Sequence, residues 1–267
     1  MTLTFTIVGC GSSGGVPRPG LGWGDCDPNN PKNRRRRTGL LIQKSNTTGG
    51  STSVLVDTSP DLREQLLDAR VTWLDGVLYS HAHADHVHGI DDLRALVIYK
   101  RRRVDIYADA TTSELLRTRF GYCFSTPPGS EYPPILNEHR IAVGQMITVK
   151  GEGGPIAVLP YLQTHGRISS LGFRFGSLAY SCDLSDLPAE SVAALSGLEV
   201  WILDALRYTP HPSHLSLSQA LDWVARIKPK RAILTNLHAD LDYDVLRREL
   251  PANVEPAFDG MKIMVEA

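Results

Sequence analysis

Apolar and polar positions alternate at a spacing of two at the start of the chain, where Thr4 and Thr6 separate Leu3, Phe5 and Ile7. This predicts a strand over residues 3–8, opening into the glycine-rich run Gly9-Cys10-Gly11-Ser12-Ser13-Gly14-Gly15. The run contains the GxGxxG spacing of a dinucleotide loop, but Pro17 and Pro19 follow where that loop needs a helix to begin, so a dinucleotide site is excluded. Residues 17–38 are rich in Pro, Gly, Asn and Arg and read as a long loop. Strands follow at 39–43 and 54–57, with a polar hairpin tip over 45–53. Leu62, Leu66 and Leu67 mark a short amphipathic helix at 61–69, and Ile90, Leu93, Leu96 and Val97 mark another that ends in the basic run 100–103.

Further along, the pattern predicts a strand at 104–108 and a helix at 112–119, then an aperiodic loop over 120–140. Strands are expected at 141–149 and 156–164, and a hairpin joins 173–175 to 178–180 through Gly176-Ser177. A short buried strand at 200–203 precedes Ser216-Leu217-Ser218-Gln219, a capping box for the helix carrying Ala220, Leu221 and Val224. A strand at 231–235 and a helix at 244–250 complete the alternation. Helices interleaved with strands in both halves point to an α/β sandwich.

At 267 residues the chain is long enough to bury one large core, and a single domain over 1–267 is expected. A net charge of −1 gives no global reason for a polyanionic partner, so long nucleic acid is not expected. The basic runs 34–37 and 100–103 read as solvated surface, or as contacts to phosphates beyond a reacting one. Cys10, Cys26, Cys123 and Cys182 are too scattered for a disulfide framework. Neither a signal-peptide pattern nor a run of about 20 apolar residues occurs, so no membrane span and a cytoplasmic location are expected.

The chemistry is concentrated in Ser80-His81-Ala82-His83-Ala84-Asp85-His86, directly after the apolar run 76–79. Neutral imidazoles and carboxylates are ligands for zinc and its first-row neighbours, and a short segment at a strand end can turn several of them inward. His165, Asp183 and His238 each follow another predicted strand, so one sheet edge can gather all seven groups. His88 and His139 are expected to be bystanders. Asp57 and Asp204, also at strand ends, read as structural or as orienting a ligand histidine.

On these residues the chain resembles the metallo-β-lactamase superfamily, whose HxHxDH signature stands here as His81, His83, Asp85 and His86. The resemblance implies the four-layer αβ/βα fold. It also implies one metal held by His81, His83 and His165, a second held by Asp85, His86 and His238, and Asp183 bridging them. Within the superfamily the chain is similar to the PhnP-type cyclic phosphodiesterases and their tRNase Z relatives, through its opening segment, His211-Pro212-Ser213-His214, and the ending Phe258-Asp259-Gly260-Met261. It departs from them in two places. The first long loop offers Cys26 alone for the structural zinc of some relatives, so none is expected, and Asn236 stands where relatives have a histidine, leaving His238 to serve.

Two divalent ions, zinc or manganese, together with two aspartates and a bridging hydroxide leave about one net positive charge, which suits a phosphodiester monoanion. His214 is the expected proton donor to the leaving group, with His211 as its substitute. The catalytic set is thus His214, Asp85 and Asp183. In tRNase Z an arm that grips tRNA is inserted between the third histidine motif and the bridging Asp, whereas here residues 166–182 are predicted to form a hairpin. Small nucleotide-like or cyclic phosphodiesters are therefore the expected substrates. The alternatives are hydrolysis of another bond, such as a thioester or a lactam, tRNA 3′ processing, and a module that binds nucleotide without cutting it. A homodimer is what the resemblance suggests.

Overall fold

A computed structural model describes residues 2–266. The first half builds β1 (Thr2–Gly9), β2 (Gly39–Ser45), β3 (Ser51–Val56), α1 (Leu62–Asp68), β4 (Gly76–Leu78), α2 (Ala84–Val87), α3 (Leu93–Lys100), β5 (Val104–Ala108), α4 (Ala110–Phe120) and β6 (Leu136–Arg140). The second builds β7 (Ile147–Val149), β8 (Ile156–His165), β9 (Ile168–Phe175), β10 (Leu178–Ser181), α5 (Ala189–Ala194), β11 (Val200–Asp204), α6 (Leu217–Ile227), β12 (Arg231–Thr235), α7 (Tyr243–Glu249), β13 (Val254–Pro256) and β14 (Lys262–Glu266).

Two seven-stranded sheets result, ordered β14-β1-β2-β3-β4-β5-β6 and β13-β12-β11-β10-β9-β8-β7. Each has three successive antiparallel pairings and three successive parallel ones, the antiparallel set at the β14 end of the first sheet and the β7 end of the second, and β14 crosses back to pair with β1. One apolar cluster lies between the sheets, with Phe5, Ile42 and Val56 facing Phe173, Tyr180 and Ile202. A second packs α6 and its neighbours on the outer face of one sheet, and a third packs α1 and α3 on the other. The layers are therefore the expected αβ/βα sandwich.

Several boundaries differ from those the pattern predicts. The hairpin tip shrinks to residues 46–50, because Asn46 Oδ1 accepts from the N–H groups of Thr48 and Gly50 and closes the turn early. Residues 120–140 are not all loop. Their end forms β6, whose sequence Leu-Asn-Glu-His-Arg carries little strand signal because it lies at a sheet edge with one buried apolar side chain, Leu136. The expected strand over 141–149 survives only as β7, since Gly144 (φ +76°) turns the chain before it. The pattern reading also lacked α5, β13 and β14. No helix among the described residues is long and apolar enough to cross a membrane.

Candidate metal centre

The site forms where strands end. The HxHxDH segment leaves β4 and turns into α2, His165 is the last residue of β8, and Asp183 lies just past β10. Asp57, Asp183 and Asn236, each beyond a strand, have φ of +63°, +56° and +62°. Among residues with a Cβ, Asn and Asp tolerate this left-handed region best, and such strain collects at functional sites. Sharp turns at these positions place polar side chains over the sheet ends.

The structure brings His81, His83, His165 and Asp183 into one group and Asp85, His86 and Asp183 into a second, with ligand atoms in each group within 4.8 Å of one another. Asp183 Oδ2 is common to both. It lies 3.6 Å from His81 Nε2, 3.4 Å from His86 Nε2 and 3.5 Å from His165 Nε2. His83 Nδ1 approaches His165 Nε2 at 3.2 Å. His81, His86, His165 and Asp183 are buried, while His83 is exposed and Asp85 half-buried, so the site opens on one side.

The far ring nitrogens are held from behind. His86 Nδ1–H donates to Asp57 Oδ2 at 2.8 Å, and Asp57 also accepts from the Ser80 backbone and hydroxyl. With that hydroxyl committed, His81 Nδ1–H donates to Ser80 Oγ at 3.0 Å, while His165 Nδ1–H donates to Ser213 O at 2.7 Å. Gly166 permits the last contact, because a Cβ there would come 2.9 Å from Ser213 Cβ. Arg119 donates to the carbonyl of Ala82 and braces the segment between the first two histidines. Each of these imidazoles thereby turns Nε2 toward Asp183, as metal ligation requires.

Metal ions fit this arrangement. The Nε2 atoms of His81 and His86 are buried without any hydrogen-bond partner, an expensive state for polar atoms that a bound cation relieves. Burial pushes His81 and His165 below the usual histidine range, keeping them neutral. Burial opposes charge on Asp183 as well, but the surrounding histidines, His86 foremost, hold its carboxyl well below the usual range. Ionised carboxylate and neutral imidazole are the ligand forms. At His86 burial again opposes charge, but Asp183, then Asp57 and Asp85, hold it well above the usual histidine range, so a metal bound there would displace its proton.

His214 stands beside this centre. Its Nε2 lies 3.9 Å from Asp183 Oδ2, and its Nδ1–H donates to Asp204 Oδ2 at 2.8 Å. Burial disfavours its charged form, yet Asp204 and then Asp183 outweigh that and push it up to about 9. Burial pushes Asp204 itself up to about 6. Asn236 Nδ2 donates to Asp183 Oδ1 and Asp204 Oδ1, both at 3.1 Å, and so ties the two carboxylates together.

His238 does not join the second group as expected. Beyond the turn at Asn236, its N–H donates to Leu206 O and its Nδ1 pairs with Asp240 Oδ1 at 3.0 Å. It lines instead a cavity of about 270 Å³ above the site, with Ser12, Ser13, Arg18, Asp85, Arg207, His211, His214 and Asn236. Sequence reasoning did not single out Ser12, Ser13, Arg18 or Arg207, although the serines lie in the glycine-rich run. His88 packs by Phe120, and His139 stacks on Tyr107 beside Asp105. The run 34–37 is only in part solvated surface, since Arg34 is exposed but Arg35 is 2% exposed and donates to His238 O and Leu241 O. Its neighbours Arg36 and Arg37 pair with Asp68 and Asp61.

The sequence pattern of the Beta-lactamase superfamily domain matches residues 52–236, a stretch that runs from β3 to the turn after β12 and contains both ligand groups. The chain belongs to the metallo-β-lactamase superfamily. A crystal structure described as a new diphosphatase from the PhnP family is 34% identical and superposes with a TM-score of 0.88, covering 99% of this chain and 98% of that one. The short form of human tRNase Z shares the fold at 17% identity, with a TM-score of 0.64 over 97% of this chain and 98% of that one. An octanoyltransferase of Porphyromonas gingivalis is 32% identical over 265 residues, 97% of this chain but 51% of that protein, so the chain spans about half the length of this curated relative. The strand ends of its metallo-β-lactamase fold carry a His/Asp cluster suited to metal.

Proposed function

We propose that the protein hydrolyses small phosphodiesters, cyclic or nucleotide-like, with two divalent ions bound. The observation that carries this reading is the meeting of two ligand groups on Asp183 Oδ2 with a histidine and carboxylate pair, His214 and Asp204, beside them. His81, His83, His165 and Asp183 would hold one ion, and Asp85, His86 and Asp183 the other. When bound, such a pair supplies activated water and neutralises charge on a phosphoryl group. Nitrogen and carboxylate ligands of this kind accept zinc or manganese.

The chain's own residues do the rest. Asp57, Ser80 and Ser213 fix the ligand imidazoles before substrate arrives, so little reorganisation is left for the reaction. His214, held at Nδ1 by Asp204, presents Nε2 beside Asp183, where it can pass a proton to the departing oxygen. Asp204 both fixes that tautomer and stabilises the charged ring. The cavity is small and largely polar, and β8 turns into β9 through residues 166–167, so a β8-β9-β10 meander fills the interval between His165 and Asp183. Both features favour a compact anionic substrate over a long RNA.

Elemental analysis joined to a phosphodiesterase assay tests the reading. Metal-loaded wild type should cleave a nucleoside 2′,3′-cyclic phosphate, and Asp183→Ala should lose both metal and activity. The octanoyltransferase similarity makes an octanoyl thioester the competing substrate, and faster turnover of that thioester would replace the phosphodiesterase reading.

A further inference from the structure

The basic run 100–103 takes no part in the metal centre. It leads from α3 into β5 and lines an open furrow of about 850 Å³, together with the start of β3, residues 70–75 before β4 and residues 150–152 after β7. β3, β4 and β5 run parallel. The furrow lies where these strands begin, whereas Asp57 and the HxHxDH segment lie where β3 and β4 end. The six residues of β3 separate the two places by about 20 Å of strand, so the furrow is distinct from the centre around Asp183.

Four cations line it, Arg70, Lys100, Arg102 and Lys150. Arg70 and Lys100 stand at the C-terminal ends of α1 and α3, where helix dipoles favour positive charge, but Arg102 and Lys150 belong to neither helix. The acidic groups do not cancel them. Asp75 is buried and spent within the wall, its Oδ2 accepting from Ser53 N–H at 2.9 Å and its Oδ1 from Trp73 Nε1–H at 3.1 Å, with Arg102 3.6 Å away. That leaves Glu152 against Arg70, Lys100 and Lys150, all exposed and, among the described residues, without an ion pair or a side-chain hydrogen bond. The wall itself is fixed. The Arg102 guanidinium lies 4.8 Å from the centre of the Trp73 ring, and a Cβ on Gly151 would come 2.6 Å from Thr52 Oγ1 and 2.7 Å from Asp75 Oδ2, so the segment after Lys150 is pressed against β3.

Unpaired cations on three separate elements around one concavity suit a ligand that carries several anionic groups, since a single carboxylate or phosphate would leave most of them unused. A concave furrow of this size takes a compact ligand and not a flat protein face. We propose that the furrow is a second site, remote from the metal centre, that binds an oligophosphate anion, either the triphosphate of a nucleotide or an inorganic chain. Arg70, Lys100 and Lys150 grip the phosphates, and Trp73 with Arg102 forms the wall beside them.

The test titrates metal-loaded protein with adenosine 5′-triphosphate and with inorganic tripolyphosphate, each in excess magnesium, by calorimetry and tryptophan fluorescence. Saturable binding with a Kd below about 1 mM is expected, together with a fluorescence change that Trp73→Phe removes. The double variant Lys100→Glu, Lys150→Glu should weaken binding by about 10-fold or more, whereas Arg34→Glu, Arg248→Glu, an equal change of net charge elsewhere, should not. Asp183→Ala should still bind, which separates the furrow from the metal centre. Equal affinity for the two ligands supports recognition through the phosphates alone, and a preference for the nucleotide supports recognition of its nucleoside as well. Absence of saturable binding, binding that survives Lys100→Glu, Lys150→Glu, or binding of an RNA homopolymer but of neither small ligand overturns the proposal.

Discussion

His214 illustrates how a residue's role depends on its partner. A lone histidine in a Pro-rich turn has no reason to be charged at neutral pH, but Asp204 Oδ2 at 2.8 Å pushes this one up against the opposing effect of burial. His214→Ala should slow hydrolysis of an ester with a poor leaving group by about 10² to 10⁴ while metal content stays at the wild-type level. An activated ester with a nitrophenolate leaving group should be affected far less, and comparing the two esters separates proton donation from metal loss. Asn236 is the other telling position. Its amide ties Asp183 to Asp204, and the second ligand group contains only Asp85, His86 and Asp183. Asn236→His should raise the amount of metal retained after dialysis, read by elemental analysis. The first group was legible in the HxHxDH spacing and in the strand-end placement of His165 and Asp183. The absence of His238 from the second was not legible, because the sequence does not reveal which way the chain leaves a left-handed turn.

Elements, not single residues, decide how the first loop behaves. Residues 34–37 look like a basic surface run, yet Arg35 passes inward and bonds carbonyls of the segment after β12. That segment exists only once the second sheet has formed. Asp259, at the entry to β14, is used in the same way, since its two oxygens accept the N–H groups of Cys10 and Arg36. Burial pushes its carboxyl up to about 6, partly offset by those N–H donors. With a folded pKa above the unfolded value near 4, the native state binds more protons between about pH 4 and 6. Its contribution is full below that window and lost as pH rises through it, by up to about 3 kcal/mol. Asp259→Asn should abolish this component, so the stability difference between wild type and variant, from urea titrations at pH 4 to 7, should move against wild type as pH rises.

At the scale of the whole molecule, two sheets of matching topology share one interior. Phe5 of the first sheet meets Phe175 of the second with ring centroids 5.6 Å apart, and both are fully buried. Contact of that kind couples the halves, so a single urea transition is expected. Phe5→Ala should shift that transition as a unit, by about 3 to 5 kcal/mol, and not split it. A biphasic curve by fluorescence and circular dichroism would show that the sheets unfold separately.

The sequence by itself determined the strands and helices with strong local period, the layered α/β class and the polar groups that end strands, because alternation, helical spacing and capping are written within a few residues of one another. Tertiary structure alone decided that β6 is a strand, that β14 returns to β1, that Arg35 is buried, and that His238 stands outside the ligand groups. Each of those outcomes is set by partners far away in the chain: an edge strand takes its identity from its neighbour, and a side chain is paired or unpaired according to which carbonyls the completed fold brings to it.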